Sequence, residues 1–433
     1  MSSVECIHRE DEYDPFEHRK VEKPTSTIGT FIHMIKGSLG TGIMAMPLAF
    51  KNGGLIFGAI GTVVICVIYT HCVHLLVGTS QKACKKGQIP VLGYAETVHA
   101  VFSDGPSKVR RIAKFTTGFV DVMILIQSIL TCCLFLIFIA KSLHDVIYNQ
   151  LGVDWDVRIY ILIELVPIIF ITQIRELKYL VPFSLISNAL LITSIGITLY
   201  FILSEPFSLE HRNMWPQWST VASFASAVLF AIQGIRYVLP VENKMKHPQH
   251  FLFRFGVLNL AMTFLISLYS VTGFFGYAQY GEKTEGSVTL NLPEDNPWAE
   301  STRLLSGIGI MFSLGLSYYV PMDILWNHMH QRLSKQWHNW GQIIVRFTML
   351  VILAAVAIGA PEISPFVGLV GSFGSSTLAI LIPVALDVIF RWPSGFGRMK
   401  WVLWKDVVLF IFGMFILVAG TYFSLKDIVA IYE

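Results

Sequence analysis

The sequence predicts an all-α polytopic membrane protein of about eleven spans, built as two inverted five-helix repeats plus one extra helix. Three observations carry this: apolar residues gathered in long blocks, a one-sided distribution of loop charge, and interruptions at corresponding positions of the two halves. Of 433 residues, 54% are hydrophobic and 14% charged, and mean hydropathy is strongly positive. A soluble domain carries about a quarter charged residues to keep its surface wet, so a soluble multi-domain enzyme is excluded.

About 20 consecutive apolar residues cross the hydrocarbon core. Such blocks lie near 28–49, 54–78, 114–142, 157–173, 180–203, 217–240, 251–279, 301–323, 341–360, 363–389 and 405–425. The fourth is short and carries Glu164 and Pro167. The boundaries predict a disordered, acidic cytosolic tail over 1–27, one repeat over 28–203, a second over 204–389, and the extra helix with a short C-terminus over 390–433.

Orientation follows from Lys and Arg. The 79–114 loop holds Lys82, Lys85, Lys86, Lys108, Arg110, Arg111 and Lys114, and later even-numbered spans are followed by Arg175 and Lys178, Lys244 and Lys246, Arg332 and Lys335, then Arg391, Arg398 and Lys400. The opposite loops are acidic, with Asp154, Asp156, Glu205, Glu210, Glu282, Glu285, Glu294, Asp295 and Glu300. The positive-inside rule puts the N-terminus in the cytosol and the C-terminus outside or in a lumen. No signal peptide is expected ahead of the first span. Of the six cysteines, Cys66, Cys72, Cys132 and Cys133 fall in apolar blocks and Cys6 and Cys84 in cytosolic segments, so no structural disulfide is expected.

Two spans are interrupted. The first reads His33-Met-Ile-Lys-Gly-Ser-Leu-Gly-Thr-Gly42, then Ile-Met-Ala-Met-Pro47. Gly37, Gly40 and Gly42 weaken helix continuity at bilayer depth. Backbone groups freed there cost several kcal/mol each unless they face protein or a water-filled cavity. The sixth span carries Phe230-Ala-Ile-Gln-Gly-Ile-Arg-Tyr-Val-Leu-Pro240. Spans one and six correspond in two five-helix inverted repeats, and paired discontinuous helices point to a transporter binding site. The alternative is a pair of glycine packing positions.

His33 to Pro47 resembles the first-helix signature of the proton-assisted amino acid transporters (PAT), in the amino acid/auxin permease group of the APC superfamily. Arg175-Glu-Leu-Lys-Tyr-Leu-Val-Pro-Phe-Ser-Leu-Ile-Ser-Asn188, Val238-Leu-Pro-Val-Glu-Asn-Lys-Met-Lys246, Gly276-Tyr-Ala-Gln-Tyr-Gly281 and Ile363-Ser-Pro-Phe-Val-Gly-Leu-Val-Gly371 are similar to later landmarks, in the same order. The resemblance implies a LeuT-like fold and zwitterionic amino acids as substrates. It also implies a role in proton coupling for His33.

The residues suit such substrates. A half-helix starting near Gly40 offers free N–H groups and a positive dipole end to a carboxylate, with the Ser38 and Thr41 hydroxyls beside it. Carbonyls freed around Phe230, Ile232 and Gln233 accept from an ammonium, and Gly234 permits the unwinding. Glycines Gly37, Gly40 and Gly42 leave room for small neutral substrates. His33 is read either as a proton carrier or as a packed histidine. Where many family members have Glu-Gly-Ile-Gly, this chain has Gln233-Gly-Ile-Arg236. Arg236 is thus either a pathway residue or an ion-pair partner of Asp121, Glu164, Glu242 or Asp323. The substitution opens the alternative of proton-independent facilitation.

Asp323 and Asp387 read as solvated helix ends, and Ser372, Ser375 and Ser376 as packing positions. Tyr13-Asp-Pro-Phe16 resembles a tyrosine-based sorting signal, which adds endosomes or lysosomes to the plasma membrane as destinations. From a different functional class, the tail could serve an amino acid sensor. No metal site, nucleotide-binding loop or catalytic triad is present in the sequence, so no cofactor, nucleic-acid partner or enzymatic activity is expected. The expected partners are small neutral amino acids, protons and the lipid bilayer.

Overall fold

The computed structural model describes residues 13–19, 21, 24–204, 207, 209–293, 296–329, 338–393 and 395–432. Cys6, Glu205, Glu294, Asp295, Arg332 and Lys335, and the side chains of Lys178 and Arg398, lie outside what is described.

The described chain is almost entirely helical. Nine of its helical stretches, three of them joining two of the helices named below, are long and apolar enough to cross a membrane. The first apolar block is instead three short helices, α1 (Thr27–Ser38), α2 (Thr41–Met44) and α3 (Met46–Gly53). It is followed by α4 (Leu55–Gly87), two short helices α5 (Tyr94–Ser103) and α6 (Ser107–Arg110) in the basic loop, and α7 (Ala113–Leu151). The fourth block is α8 (Val157–Thr172), which has 16 residues and Pro167 inside it, too short to count among the nine. Next come α9 (Leu177–Ser204), the broken pair α10 (Val221–Ala231) and α11 (Ile235–Asn243), and α12 (Val257–Tyr280). The chain ends with α13 (Pro297–Met329), α14 (His338–Gly359), α15 (Ile363–Leu369), α16 (Ile382–Arg391), α17 (Trp401–Phe415) and α18 (Thr421–Val429).

Local chemistry sets the helix ends. Ser26 caps α1, its hydroxyl accepting from the Gly29 N–H at 3.1 Å. Gly54 closes α3 at φ +75, where a side chain would overlap the backbone of Met214 and Trp215.

Broken helices need a protein environment, because lipid cannot pair their exposed backbone groups. Accordingly, 72% of the apolar window in Val221–Asn243 is buried, against 22% in Trp401–Val429 at the periphery. The segment between α15 and α16 winds as π-helix over Val370–Ser375 and Thr377–Leu381, a feature with no cue in the composition. Its Gly371 lies so close to the Ser226 carbonyl of α10 that no Cβ fits.

The tail departs from expectation. Residues 13–19 are packed against the end of α11 rather than disordered. Arg19 pairs with Glu242 at 3.1 Å, with side chains 4% and 1% exposed, and donates to the Pro90 carbonyl at 3.1 Å. Its guanidinium lies 4.9 Å from the Phe16 ring centroid. Gln81 of α4 donates to the same Glu242 carboxylate at 2.9 Å. Thr25 then pairs through its backbone with Lys244 and Lys246, at 2.8 and 2.9 Å. Composition cannot reveal this, because the carboxylate that orders the tail is more than 200 positions away.

Candidate substrate site at the paired helix breaks

The first break falls at Leu39 and Gly40, between α1 and α2, and the sixth at Ile232 to Gly234, between α10 and α11. The fold brings them into contact. A Cβ on Gly42 would lie 2.5 Å from the Ala231 carbonyl oxygen, so the backbones touch directly. A Cβ on Gly234 would lie 3.0 Å from the Ser38 hydroxyl. Ser38, Thr41, Gly42, Phe230, Ile232 and Gly234 are all buried there.

Two tyrosines missed in the sequence reading hold this junction. The Tyr269 hydroxyl of α12 lies 2.6 Å from the Ser38 carbonyl and 3.1 Å from the Ala231 carbonyl. One O–H thus serves the last carbonyls of both interrupted helices. From α4, the Tyr69 hydroxyl accepts the Gly234 N–H at 3.1 Å. Both tyrosines sit within apolar stretches, where the sequence alone reads them as core.

The backbone groups differ in how far they are satisfied. The Phe230 carbonyl already accepts the Gln233 N–H at 3.2 Å, so it is less free than the sequence predicts. Among the described residues, the carbonyls of Ile232 and Gln233 accept no hydrogen bond, and the N–H groups of Gly40, Thr41 and Gly42 meet no acceptor. A Cβ on Gly40 would find no atom within 4 Å. The break therefore presents donors on one strand, acceptors on the other, and open space at Gly40.

Side chains add to this. The Gln233 Oε1 is buried without a hydrogen-bond partner, and so is the Oε1 of Gln127 on α7, whose amide donates to Ser375 of the π segment at 3.2 Å. Arg236 donates to the Ser128 hydroxyl of α7 at 2.8 Å. It forms no ion pair among the described residues. Of its four expected partners, Glu242 is taken by Arg19. Glu164 faces a cavity of about 200 Å³ between α7, α8 and α13, with both carboxylate oxygens unpartnered. The half-buried guanidinium of Arg236 also lies 5.7 Å from the Tyr237 ring centroid.

The other predicted positions lie apart. His33 is exposed on α1 and makes no hydrogen bond among the described residues. Gly37 packs near the Tyr237 ring, 3.7 Å from a Cβ position. Asp387, expected to be a solvated helix end, is instead buried and paired with Arg391 at 2.7 Å. The Ser372 hydroxyl lies 3.1 Å from that of Thr421, as expected of a packing position.

This geometry fits what the chain is similar to. The family described as transmembrane amino acid transporter protein matches residues 23–426. A Drosophila melanogaster protein named proton-coupled amino acid transporter-like protein pathetic is 34% identical over 423 residues, covering 98% of this chain and 89% of that protein. The probable amino acid transporter skat-1 of Caenorhabditis elegans is 22% identical, covering 96% and 92%. Among solved structures, Mhp1, a nucleobase-cation-symport-1 family transporter, matches in its inward-facing form with TM-score 0.56 at 12% identity, covering 95% of this chain and 93% of that one. Its closed form with bromovinylhydantoin bound gives 0.53 at 13% identity, covering 94% of each. Those likenesses show a LeuT-like fold. With the family match running over nearly its whole length, the chain belongs to the transmembrane amino acid transporter family.

Proposed function

We propose that this protein is a secondary transporter of small neutral amino acids, working by alternating access with the substrate held between the two breaks. One observation supports the reading: the break with unpaired donors at Gly40, Thr41 and Gly42 touches the break with unpaired acceptors at Ile232 and Gln233. A zwitterion satisfies both sets, carboxylate to the N–H groups and ammonium to the carbonyls and the Gln233 amide oxygen. The close backbone contact at Gly42 and Ala231 limits the space for a side chain. Radiolabelled alanine, glycine and proline uptake into proteoliposomes tests this. A strict preference for aromatic or cationic amino acids would overturn it.

Transport is proposed to be proton-coupled symport, in keeping with the name of the Drosophila relative and with His33 as a titratable group on α1. A second reading, facilitation without protons, is favoured by Gln233 and Arg236, which leave the sixth break without a carboxylate. An inward pH gradient separates the two: stimulated uptake supports symport, and uptake indifferent to the gradient supports facilitation. The basic loops are proposed to face the cytosol, with the protein in the plasma membrane or an endosomal or lysosomal membrane.

A further inference from the structure

Away from the breaks, three helices bury a network of charge. Asp387 and Arg391 come from α16, Lys405 and Asp406 from α17, and His71 from α4. Arg391 pairs with Asp387 at 2.7 Å. The Lys405 ammonium lies 3.0 Å from Asp406 Oδ1 and 3.9 Å from Asp387 Oδ2. The two carboxylates are 0% and 4% exposed. Two partly exposed cations thus face two buried carboxylates.

The Lys405 Nζ also lies 2.9 Å from Nε2 of His71. An ammonium has three donors and no acceptor. Beside two carboxylates an ammonium can only donate, so the contact is Nζ–H donated to an unprotonated Nε2. A proton arriving on Nε2 forms an N–H bond where that hydrogen bond was, and sets two cations 2.9 Å apart. Lys405 must then move off. The acceptors are at hand, because Asp406 Oδ1 already lies 3.0 Å away and Asp387 Oδ2 3.9 Å away. The remaining titratable neighbours on α4 are Cys72 and His74, and His74 is turned to Asn259 of α12 at 2.8 Å.

We propose that His71 is a proton-binding site of this transporter, with Lys405 the charge that its protonation displaces onto Asp387 and Asp406. The site reports to the substrate region through α4, which carries Tyr69 two residues earlier, holding the Gly234 N–H of the sixth break. As a coupling site, His71 rests on the symport reading above. As a protonation site it stands by itself.

The test uses full-length protein in proteoliposomes, measuring alanine exchange with the same pH on both sides, from about pH 5.5 to about pH 8, the range where imidazole titrates. His71→Gln keeps an acceptor for Lys405 but cannot take the proton. The expected result is a wild-type rate ratio across this range of tenfold or so, flattened to within about twofold in His71→Gln. Lys405→Met removes the opposing cation and moves the midpoint of the profile to higher pH. Independently of flux, the melting curves of wild type and His71→Gln in detergent diverge below about pH 7. Retention of the wild-type ratio by His71→Gln, or parallel melting curves, overturns the assignment. The symport reading fails separately, if an imposed gradient drives no alanine accumulation by the wild type.

Discussion

The two helix breaks are alike in sequence logic and unlike in how the fold finishes them. At the sixth, tyrosine hydroxyls supply partners: Tyr69 accepts the Gly234 N–H and Tyr269 donates toward the Ala231 carbonyl. At the first, Tyr269 reaches the Ser38 carbonyl, while three consecutive N–H groups and the space beside Gly40 stay open. An unpaired buried polar group costs about 1–3 kcal/mol, so a fold leaves a row of them only where something else completes them. In the proposed site, the sixth break is the braced wall and the first is the open mouth. On the far side both segments are tied again, because the tail leading into α1 is locked to the end of α11 by Arg19 and Glu242.

The largest effect is expected at that outer tie. Arg19→Ala leaves the Glu242 carboxylate, which is 1% exposed, with the Gln81 amide but without its cation, and removing one member of a buried pair costs about 3–5 kcal/mol. A drop in thermal stability, much reduced in an Arg19→Ala, Glu242→Gln double variant, would show that the pair and not the arginine alone holds the tail. If Arg19→Ala melts with the wild type, the two segments are not joined there.

Next comes the contact between the breaks. Gly42→Val forces a side chain into the Ala231 backbone, where a Cβ already falls 2.5 Å from the carbonyl oxygen. Overpacking of this kind costs about 1–3 kcal/mol, and uptake by correctly inserted protein should fall by tenfold or more. Unchanged uptake would mean that the breaks can separate freely.

The bracing is tested by a pair. Tyr269→Phe leaves two carbonyls short of a donor, at a cost of about 1–3 kcal/mol, and Tyr69→Phe leaves one N–H, at about 1 kcal/mol. Measured by thermal melting, equal losses would remove the distinction between a hydroxyl shared by both breaks and one serving the sixth.

The glycine runs were legible in the sequence because three glycines in six residues weaken a helix at bilayer depth. Nine spans among the described residues were legible through composition imposed by the bilayer. The tyrosines were not, since Tyr69 and Tyr269 sit in stretches whose other members are ordinary core. Nor was the buried state of Asp387, because a carboxylate near a helix end looks solvated until Arg391 and Lys405 are seen beside it. What the bilayer dictates can be read along the chain, while what two distant helices settle between them cannot.

The smallest change in stability belongs to the open mouth, where it is also the most informative. A methyl on Gly40 meets no protein atom within 4 Å, and its φ of −163 is extended backbone that any residue adopts. Gly40→Ala should leave melting within about 0.5 kcal/mol of wild type, as a surface substitution does. If the open space is where substrate lies, the methyl instead competes with the substrate for it. KM should then rise several-fold for proline while changing least for glycine, with kcat moving less than KM. A uniform change across the three substrates would place the side chain elsewhere, and the first break would be open for a reason other than recognition.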